Sequence, residues 1–126
     1  MGVKSKPLVY VAGPISSNPW RCLGEALICW KPMREAGAIP FFPQFGIVHA
    51  MIEETDYQEH FDYGIDMMLK CDLVVRMPGK SPGADAEEGE AKAHGIPVIH
   101  LTYDDLKWMS DGWSEFLQFM VDWNAE

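Results

Sequence analysis

The sequence predicts a single-domain, doubly wound α/β fold of the flavodoxin or Rossmann type, with a parallel sheet of four to five strands and helices on both faces. Its 126 residues fit one domain, residues 1–126, and a hydrophobic content of 48% is enough for one core. Strand-like and helix-like segments alternate as β-α-β-α-β-α-β. The strand-like segments are continuous apolar runs, which is typical of a parallel sheet covered on both faces.

The first half of the chain predicts two strands around one helix. "PLVYVAG" (7–13) is a β-rich run that ends in a Gly-Pro turn. From Asn18 the apolar residues recur at steps of three and four, which predicts a helix ending at Gly37, with a kink or a separate last turn at Pro32. "AIPFF" (38–42) is the second strand, and a long connection follows it.

The second half repeats this alternation. A helix is expected over 57–72, a third strand over 73–77, a third helix over 83–94 and a fourth strand over 96–101. The closing segment predicts one amphipathic helix, whose apolar seam is Leu106, Met109, Trp113, Phe116, Met120 and Trp123. This helix either covers the sheet or, because Trp108 and Phe119 lie off the seam, also forms a homo-oligomeric contact.

Charge and composition exclude several classes of protein. The net charge is -9, and the 10 Lys and Arg residues form no run, so an extended nucleic acid would be repelled. With neither a long apolar span nor a signal-peptide pattern, we expect a cytoplasmic protein without a membrane partner. Three cysteines without a C-x-x-C spacing and four scattered histidines predict buried thiols and no metal or cofactor.

Small residues concentrate in loops that follow the strands. "AGPISS" follows the first strand, and "SPG" opens the third helix, where free backbone N–H groups and the helix dipole favour an anion. In parallel sheets, ligands bind at the carboxyl ends of the strands where the strand order reverses. The sequence therefore predicts a phosphate or carboxylate ligand at this edge.

The segment "KSPGADAEEGEAKAHG" (80–95) carries the acids Asp85, Glu87, Glu88 and Glu90 among small residues. Acids near a helix start are stabilised by the helix dipole, which explains most of them. The small residues leave this helix almost no bulky apolar side chain and imply that some other group approaches it closely. Either Glu87 or Glu88 can serve as a fixed carboxylate nucleophile, and periodicity does not choose between them.

Three fragments, "VYVAGPIS", "MLKCDLVVRMPG" and "SPGADAEEGEAKAHGIPV", resemble the nucleoside 2-deoxyribosyltransferase superfamily, which includes deoxynucleoside 5′-monophosphate N-glycosidases. The resemblance extends through about residue 100. Its pattern S-x-G-x-x-x-E-x-G-x-A selects Glu87 as the nucleophile that attacks the anomeric carbon, and it implies that Tyr10 contacts this glutamate and the sugar. It places one group of residues at the 5′ end of the ligand: Gly13, Ser16, Ser17, Ser81 and Gly83.

The sequence departs from the family pattern at two places. The position of the family aspartate, eight residues ahead of the aspartate that opens the third strand, is Gly64. Asp62 and Asp66 are each two residues away, and Asp66 is the better candidate for that role. The arginine that monophosphate-specific members carry in the first loop is replaced by Ser16 and Ser17, and Arg21 or Lys80 can substitute for it.

The resemblance implies cleavage or transfer of the N-glycosidic bond of a nucleoside or its 5′-monophosphate through a glycosyl-glutamate intermediate, in a homodimer or larger assembly. Candidates for stacking on the base are Trp20, Phe45 and His49, and candidates for protonating it are Tyr10, Asp66 and solvent. One alternative is a module that binds a nucleotide-like metabolite without turnover. Another is an N-glycosidase for a cytokinin-type riboside monophosphate or a dinucleotide.

Overall fold

The computed structural model describes residues 5–14, 19–45, 57–108 and 111–125. These residues form a four-stranded sheet in the order β2-β1-β3-β4, and every neighbouring pair is parallel. The predicted fold class is therefore confirmed. The strands are β1 (Leu8–Ala12), β2 (Ile39–Phe41), β3 (Leu73–Arg76) and β4 (Val98–His100).

Helices cover both faces of this sheet. They are α1 (Pro19–Leu27), α2 (Trp30–Glu35), α3 (Tyr57–Met68), α4 (Pro82–Ala93), α5 (Tyr103–Trp108) and α6 (Asp111–Ala125), and a 3-10 turn spans Pro43–Phe45. Within the described part of the chain, no helix is long and apolar enough to cross a membrane.

The alternation of side chains along β1 divides the core into two layers. Val9 and Val11 pack with residues of α1, α2 and α6 on one face. Tyr10 and Ala12 pack with residues of α3 and α4 on the other face. Because successive side chains of a strand point to opposite faces, the layer with α3 and α4 receives the tyrosine hydroxyl.

The segment predicted as one helix, with a kink or a separate last turn at Pro32, forms two helices. The break between them lies upstream of Pro32. α1 ends at Leu27 and α2 begins at Trp30, so Pro32 falls in the first turn of α2. A proline there needs no hydrogen bond from its missing N–H, whereas within a continuous helix it would leave the Ile28 carbonyl without a partner. Gly37 follows α2 with a φ of +98°, as expected for a helix-ending glycine.

The predicted closing helix is also two helices, and Asp105 accounts for the start of both. Thr102 and Asp105 form a capping box at α5: the Thr102 N–H donates to Asp105 Oδ2 at 2.7 Å, and the Asp105 N–H donates to Thr102 Oγ1 at 3.2 Å. The Gly112 N–H donates to Asp105 Oδ1 at 3.1 Å, and Trp113 Nε1 donates to the Asp105 carbonyl at 2.7 Å. A single straight helix could not make these contacts.

The apolar seam of the closing segment packs largely as predicted. Trp113, Phe116 and Met120 are buried in the core, whereas Met109 lies outside the described residues. Phe119 is partly buried against the same core and stacks on Trp123 at 6.2 Å between ring centroids. One of the two off-seam aromatics thus has contacts within the chain, and the homo-oligomer stays a prediction.

The order of the strands creates a crevice. From β1 the chain first pairs on one side to form β2 and later on the other side to form β3, so the connections diverge at the carboxyl ends of β1 and β3. Ligands of such sheets bind at this point.

Candidate active site

A buried carboxylate and a buried phenol meet below this crevice. Tyr10 of β1 is fully buried and donates a short hydrogen bond from its hydroxyl to Oε2 of Glu87, which is 7% exposed on α4. The tyrosine ring is held from its other side by Phe41 of β2, with 5.7 Å between stacked ring centroids. The carboxylate is therefore fixed in position by a group that itself has little freedom to move.

The local sequence explains why α4 brings Glu87 so close to the sheet. Ser81 is the N-cap, with its hydroxyl accepting from the Ala84 N–H at 3.1 Å, and Pro82 occupies the first turn. Ala84 and Ala91 are buried against the sheet on the same side of the helix as Glu87. Because alanine has no bulky side chain, the helix axis approaches the strands closely, and this contact accounts for part of the small-residue pattern.

The neighbouring Glu88 faces away from the crevice. Its carboxylate receives hydrogen bonds from Lys92 and His100, each at 2.8 Å, on the outer side of α4. Burial acts to raise the pKa of Glu88, but these hydrogen bonds and the adjacent positive charges outweigh it and lower the pKa. The structure thus gives the two glutamates different surroundings, which periodicity alone did not.

Burial dominates the protonation chemistry of the pair. It raises the pKa of Glu87 above the ordinary value of 4.5, while the hydrogen bond from Tyr10 and the charge of Arg76 act in the opposite direction. Burial, together with the charge of Glu87 and the hydrogen bond to it, raises the pKa of Tyr10 well above the range of a free phenol. The phenol therefore keeps its proton and donates a hydrogen bond to the carboxylate.

A cavity of about 320 Å³ opens over this pair, within the range of small-molecule sites. Its walls come from β1, the 3-10 turn, α3 and the start of α4. The lining residues include Tyr10, Gly13, Glu87, His60 and Gly64. A fixed carboxylate at the floor of an open cavity at the strand-order reversal is an arrangement suited to nucleophilic attack on a bound small molecule.

Comparison of the fold with solved structures yields several matches. A 2-deoxyribosyltransferase from Leishmania mexicana aligns with a TM-score of 0.60 at 22% identity, over 75% of this chain and 63% of that one. The 2-deoxyribosyltransferase from Bacillus psychrosaccharolyticus, described as a biocatalyst for nucleoside synthesis, aligns with a TM-score of 0.57 at 18% identity, over 74% of this chain and 70% of that one.

This chain has the 2-deoxyribosyltransferase fold. A conserved protein from Enterococcus faecalis V583 shares it more completely, with a TM-score of 0.63 at 20% identity over 96% of this chain and 87% of that one. By contrast, this chain spans less than two thirds of the length of the Leishmania enzyme. No family model and no curated protein matches the sequence.

Within this 2-deoxyribosyltransferase fold, the predicted residues fall into three groups. Gly13, Ser81 and Gly83 line the cavity together with Tyr10 and Glu87. Asp62 and Asp66 are exposed on α3 and are not among the residues that line it. Ser16, Ser17 and His49 lie outside the described residues, as does the side chain of Phe45, whose backbone closes the 3-10 turn.

The predicted substitutes for the missing arginine lie on the surface. Arg21 is paired with Glu25 on the exposed side of α1, with 2.9 Å between Nε and Oε1. Lys80 and Trp20 are also exposed, and neither is among the residues that line the cavity.

Gly64 lies directly against the pair of Tyr10 and Glu87. A Cβ atom at this position would be 2.7 Å from the Tyr10 hydroxyl and 3.6 Å from Glu87 Oε2. The position that the family resemblance assigns to an aspartate therefore faces the pair, and in this chain it holds no side chain.

Sequence reasoning missed four residues around the cavity. Three of them line it: His60, Phe61 and Pro43. His60 precedes Gly64, the position of the family aspartate, by one helical turn, and this spacing in the sequence could have indicated that His60 faces the same site. Gln44 is 1% exposed, and its Nε2 would be 3.0 Å from a Cβ at Gly13. A Cβ at this position would also lie 2.9 Å from the Met77 Cβ, so glycine at position 13 allows Met77 and the Gln44 amide to approach the backbone closely.

Arg76 is the other residue that the sequence analysis did not single out. It is 7% exposed at the end of β3 and donates to the Gly79 carbonyl at 3.0 Å and to Asp85 Oδ1 at 3.1 Å. A third hydrogen bond goes to the Met77 carbonyl. A buried cation needs such partners, and here they fix the loop that leads into α4. The signal was a lone arginine within "LVVRM".

Within the described residues, no group of three His, Cys, Asp or Glu side chains is placed to hold a metal ion.

Proposed function

We propose that this protein cleaves or transfers the N-glycosidic bond of a nucleoside or nucleoside 5′-monophosphate, with Glu87 as the nucleophile. The observation that carries this proposal is the buried Glu87 carboxylate, held by the Tyr10 hydroxyl at the floor of a cavity at the strand-order reversal. The likeness to two 2-deoxyribosyltransferases supports the choice of substrate class.

The proposed reaction has two displacement steps. A Glu87 carboxylate oxygen attacks C1′ of the sugar, and the electron pair of the C1′–N bond leaves with the base. The resulting glycosyl ester is then attacked at C1′ by water, or by a second base, which releases the Glu87 carboxylate. In this reaction Tyr10 orients the carboxylate, and we assign Ser81 and Gly83, which line the same cavity, to the 5′ end of the sugar.

Chromatography of the purified protein after incubation with nucleosides, their 5′-monophosphates and NAD tests this proposal. We expect release of free base from at least one nucleoside or monophosphate. Base exchange in the presence of a second base would identify a transferase, and release only into water a hydrolase. Binding without release would instead support the metabolite-binding module, and release from NAD alone would assign a dinucleotide substrate.

Replacing Ser81 by alanine tests whether the start of α4 binds the 5′ phosphate. Loss of the cap should lower the free energy of unfolding by about 0.5 to 2 kcal/mol, because the Ala84 N–H loses its partner. If the same turn binds phosphate, KM should rise more for the monophosphate than for the nucleoside. Equal changes in both KM values would show that this turn does not contribute to binding of the 5′ phosphate.

Replacing Tyr10 by phenylalanine should shift the acid limb of the pH–rate profile upward. Attack requires the ionised carboxylate, so the rate falls as the pH drops through the pKa of Glu87, which burial places above 4.5. The hydrogen bond from Tyr10 lowers that pKa, and its removal raises it further. Tyr63→Phe, at an exposed tyrosine of α3, is the matched control. An unchanged acid limb in Tyr10→Phe would contradict this role.

A further inference from the structure

The departing base needs a proton, and the cavity contains few groups that can supply one. Among the described residues that line it, the titratable side chains are Tyr10, Glu87 and His60. Glu87 is the nucleophile of the proposed reaction. The Tyr10 proton is committed to Glu87, and burial together with the adjacent charge raises the pKa of the phenol, so releasing that proton to the base would be unfavourable.

The remaining group, His60, lies on the correct side of the cavity. His60 and Gly64 are four residues apart on α3, so their Cα–Cβ directions share one face of the helix. Gly64 is packed against the Tyr10 hydroxyl and lies near Glu87 Oε2. The Cβ of His60 therefore lies on the order of 5 to 6 Å from the Cβ position of Gly64, and that position is itself 3.6 Å from Glu87 Oε2.

The two side chains differ in exposure. Glu87 is buried at the floor, whereas His60 is only half-buried and lines the wall. A sugar carbon bound against Glu87 would direct its base toward the cavity opening. Because Gly64 has no side chain, the α3 backbone packs directly against the Tyr10 hydroxyl, which brings the helix that carries His60 close to the pair.

We propose that His60 is the general acid that protonates the departing base. This inference rests on the proposed function. As Glu87 bonds to C1′ and the C1′–N bond breaks, the imidazolium transfers its proton to a ring nitrogen of the base and becomes neutral imidazole. In the second step, the neutral imidazole accepts the proton of the attacking water, or of the incoming base, and the starting protonation state is restored.

The test compares two leaving groups in His60→Asn. One substrate is the nucleoside or monophosphate of the panel that the wild-type protein turns over fastest, and the other is the para-nitrophenyl glycoside of the same sugar. Nitrophenolate departs without protonation, so it does not need the acid. We expect kcat/KM, which reports the first displacement alone, to fall about 100-fold or more for the nucleoside and to stay within about threefold for the aryl glycoside.

His94→Asn is the matched control, because it makes the same chemical change at an exposed histidine near the end of α4. It should leave both rates unchanged. Glu87→Ala should abolish turnover of both substrates, since attack on C1′ is common to them. This difference separates a failure of the inference from a failure of the proposed function.

Equal losses of kcat/KM on the two substrates in His60→Asn would overturn the acid role and assign His60 to structure or binding, while the proposed function stands. A nucleoside rate within about threefold of wild type would also overturn it. If Glu87→Ala retains activity on both substrates, or if the wild-type protein releases no base at all, both proposals fail together.

Discussion

Replacement of Glu87 by alanine is expected to lower the rate of base release by about a thousandfold or more, equivalent to roughly 4 kcal/mol of transition-state stabilisation. The reason is that, in the proposed reaction, the substitution removes the atom that bonds to C1′. The protein should still fold: the change leaves the Tyr10 hydroxyl without its acceptor, at a cost of about 1 to 3 kcal/mol, but it also removes a carboxylate whose burial is unfavourable. Thermal unfolding and a base-release assay measure the two effects separately.

Glu88→Ala is the matched control, because it removes one charge from the adjacent position of the same helix. Its carboxylate contacts Lys92 and His100 on the outer side of α4, and exposed pairs of this kind contribute about 0 to 1 kcal/mol. Activity should therefore stay within about tenfold of wild type. If Glu88→Ala were as damaging as Glu87→Ala, the acids would act collectively and the assignment of the nucleophile would fail.

Replacement of Gly64 by alanine is expected to lower kcat by roughly 100-fold, although alanine is the better helix former. The added Cβ would lie 2.7 Å from the Tyr10 hydroxyl, and the buried, stacked tyrosine ring has little room to move away. Tyr10 and Glu87 must then separate or tilt. A misplacement of about 1 Å can lower the rate of an enzyme by about 100-fold, because the reaction depends on the position of the attacking atom.

Gly24→Ala in α1 is the control for this substitution. A Cβ at Gly24 would meet no atom within 4 Å, so the helix should gain about 0.5 to 1 kcal/mol in stability without any change in activity. Wild-type kcat in Gly64→Ala would show that the contact between α3 and Tyr10 is not needed for the reaction. A crystal structure of the variant would show directly whether the Tyr10 to Glu87 hydrogen bond persists.

The fold was accessible from the sequence because its signals are local. Each strand is a continuous apolar run, and each helix carries its own period, so the order of elements and the parallel sheet could be read without knowledge of any contact. The helix boundaries were less accessible. The break before Trp30 and the one between α5 and α6 depend on a proline in a first turn and on the Asp105 carboxylate, whose partner Gly112 lies seven residues further along the chain.

The site was accessible only in part. The sequence by itself narrowed the candidate nucleophile to Glu87 or Glu88, and the family motif selected Glu87. Local periodicity is satisfied by both residues, because each lies on a stripe of small residues. Only the tertiary structure decides which carboxylate faces the crevice: Tyr10 lies 77 residues before Glu87, and their contact requires β1 to lie beside β3 under α4. The same long-range packing places the backbone of Gly64 against the phenol and brings His60 into the cavity wall. A sequence determines which side chains a helix offers to one face, while the surface that this face meets depends on segments distant in the chain.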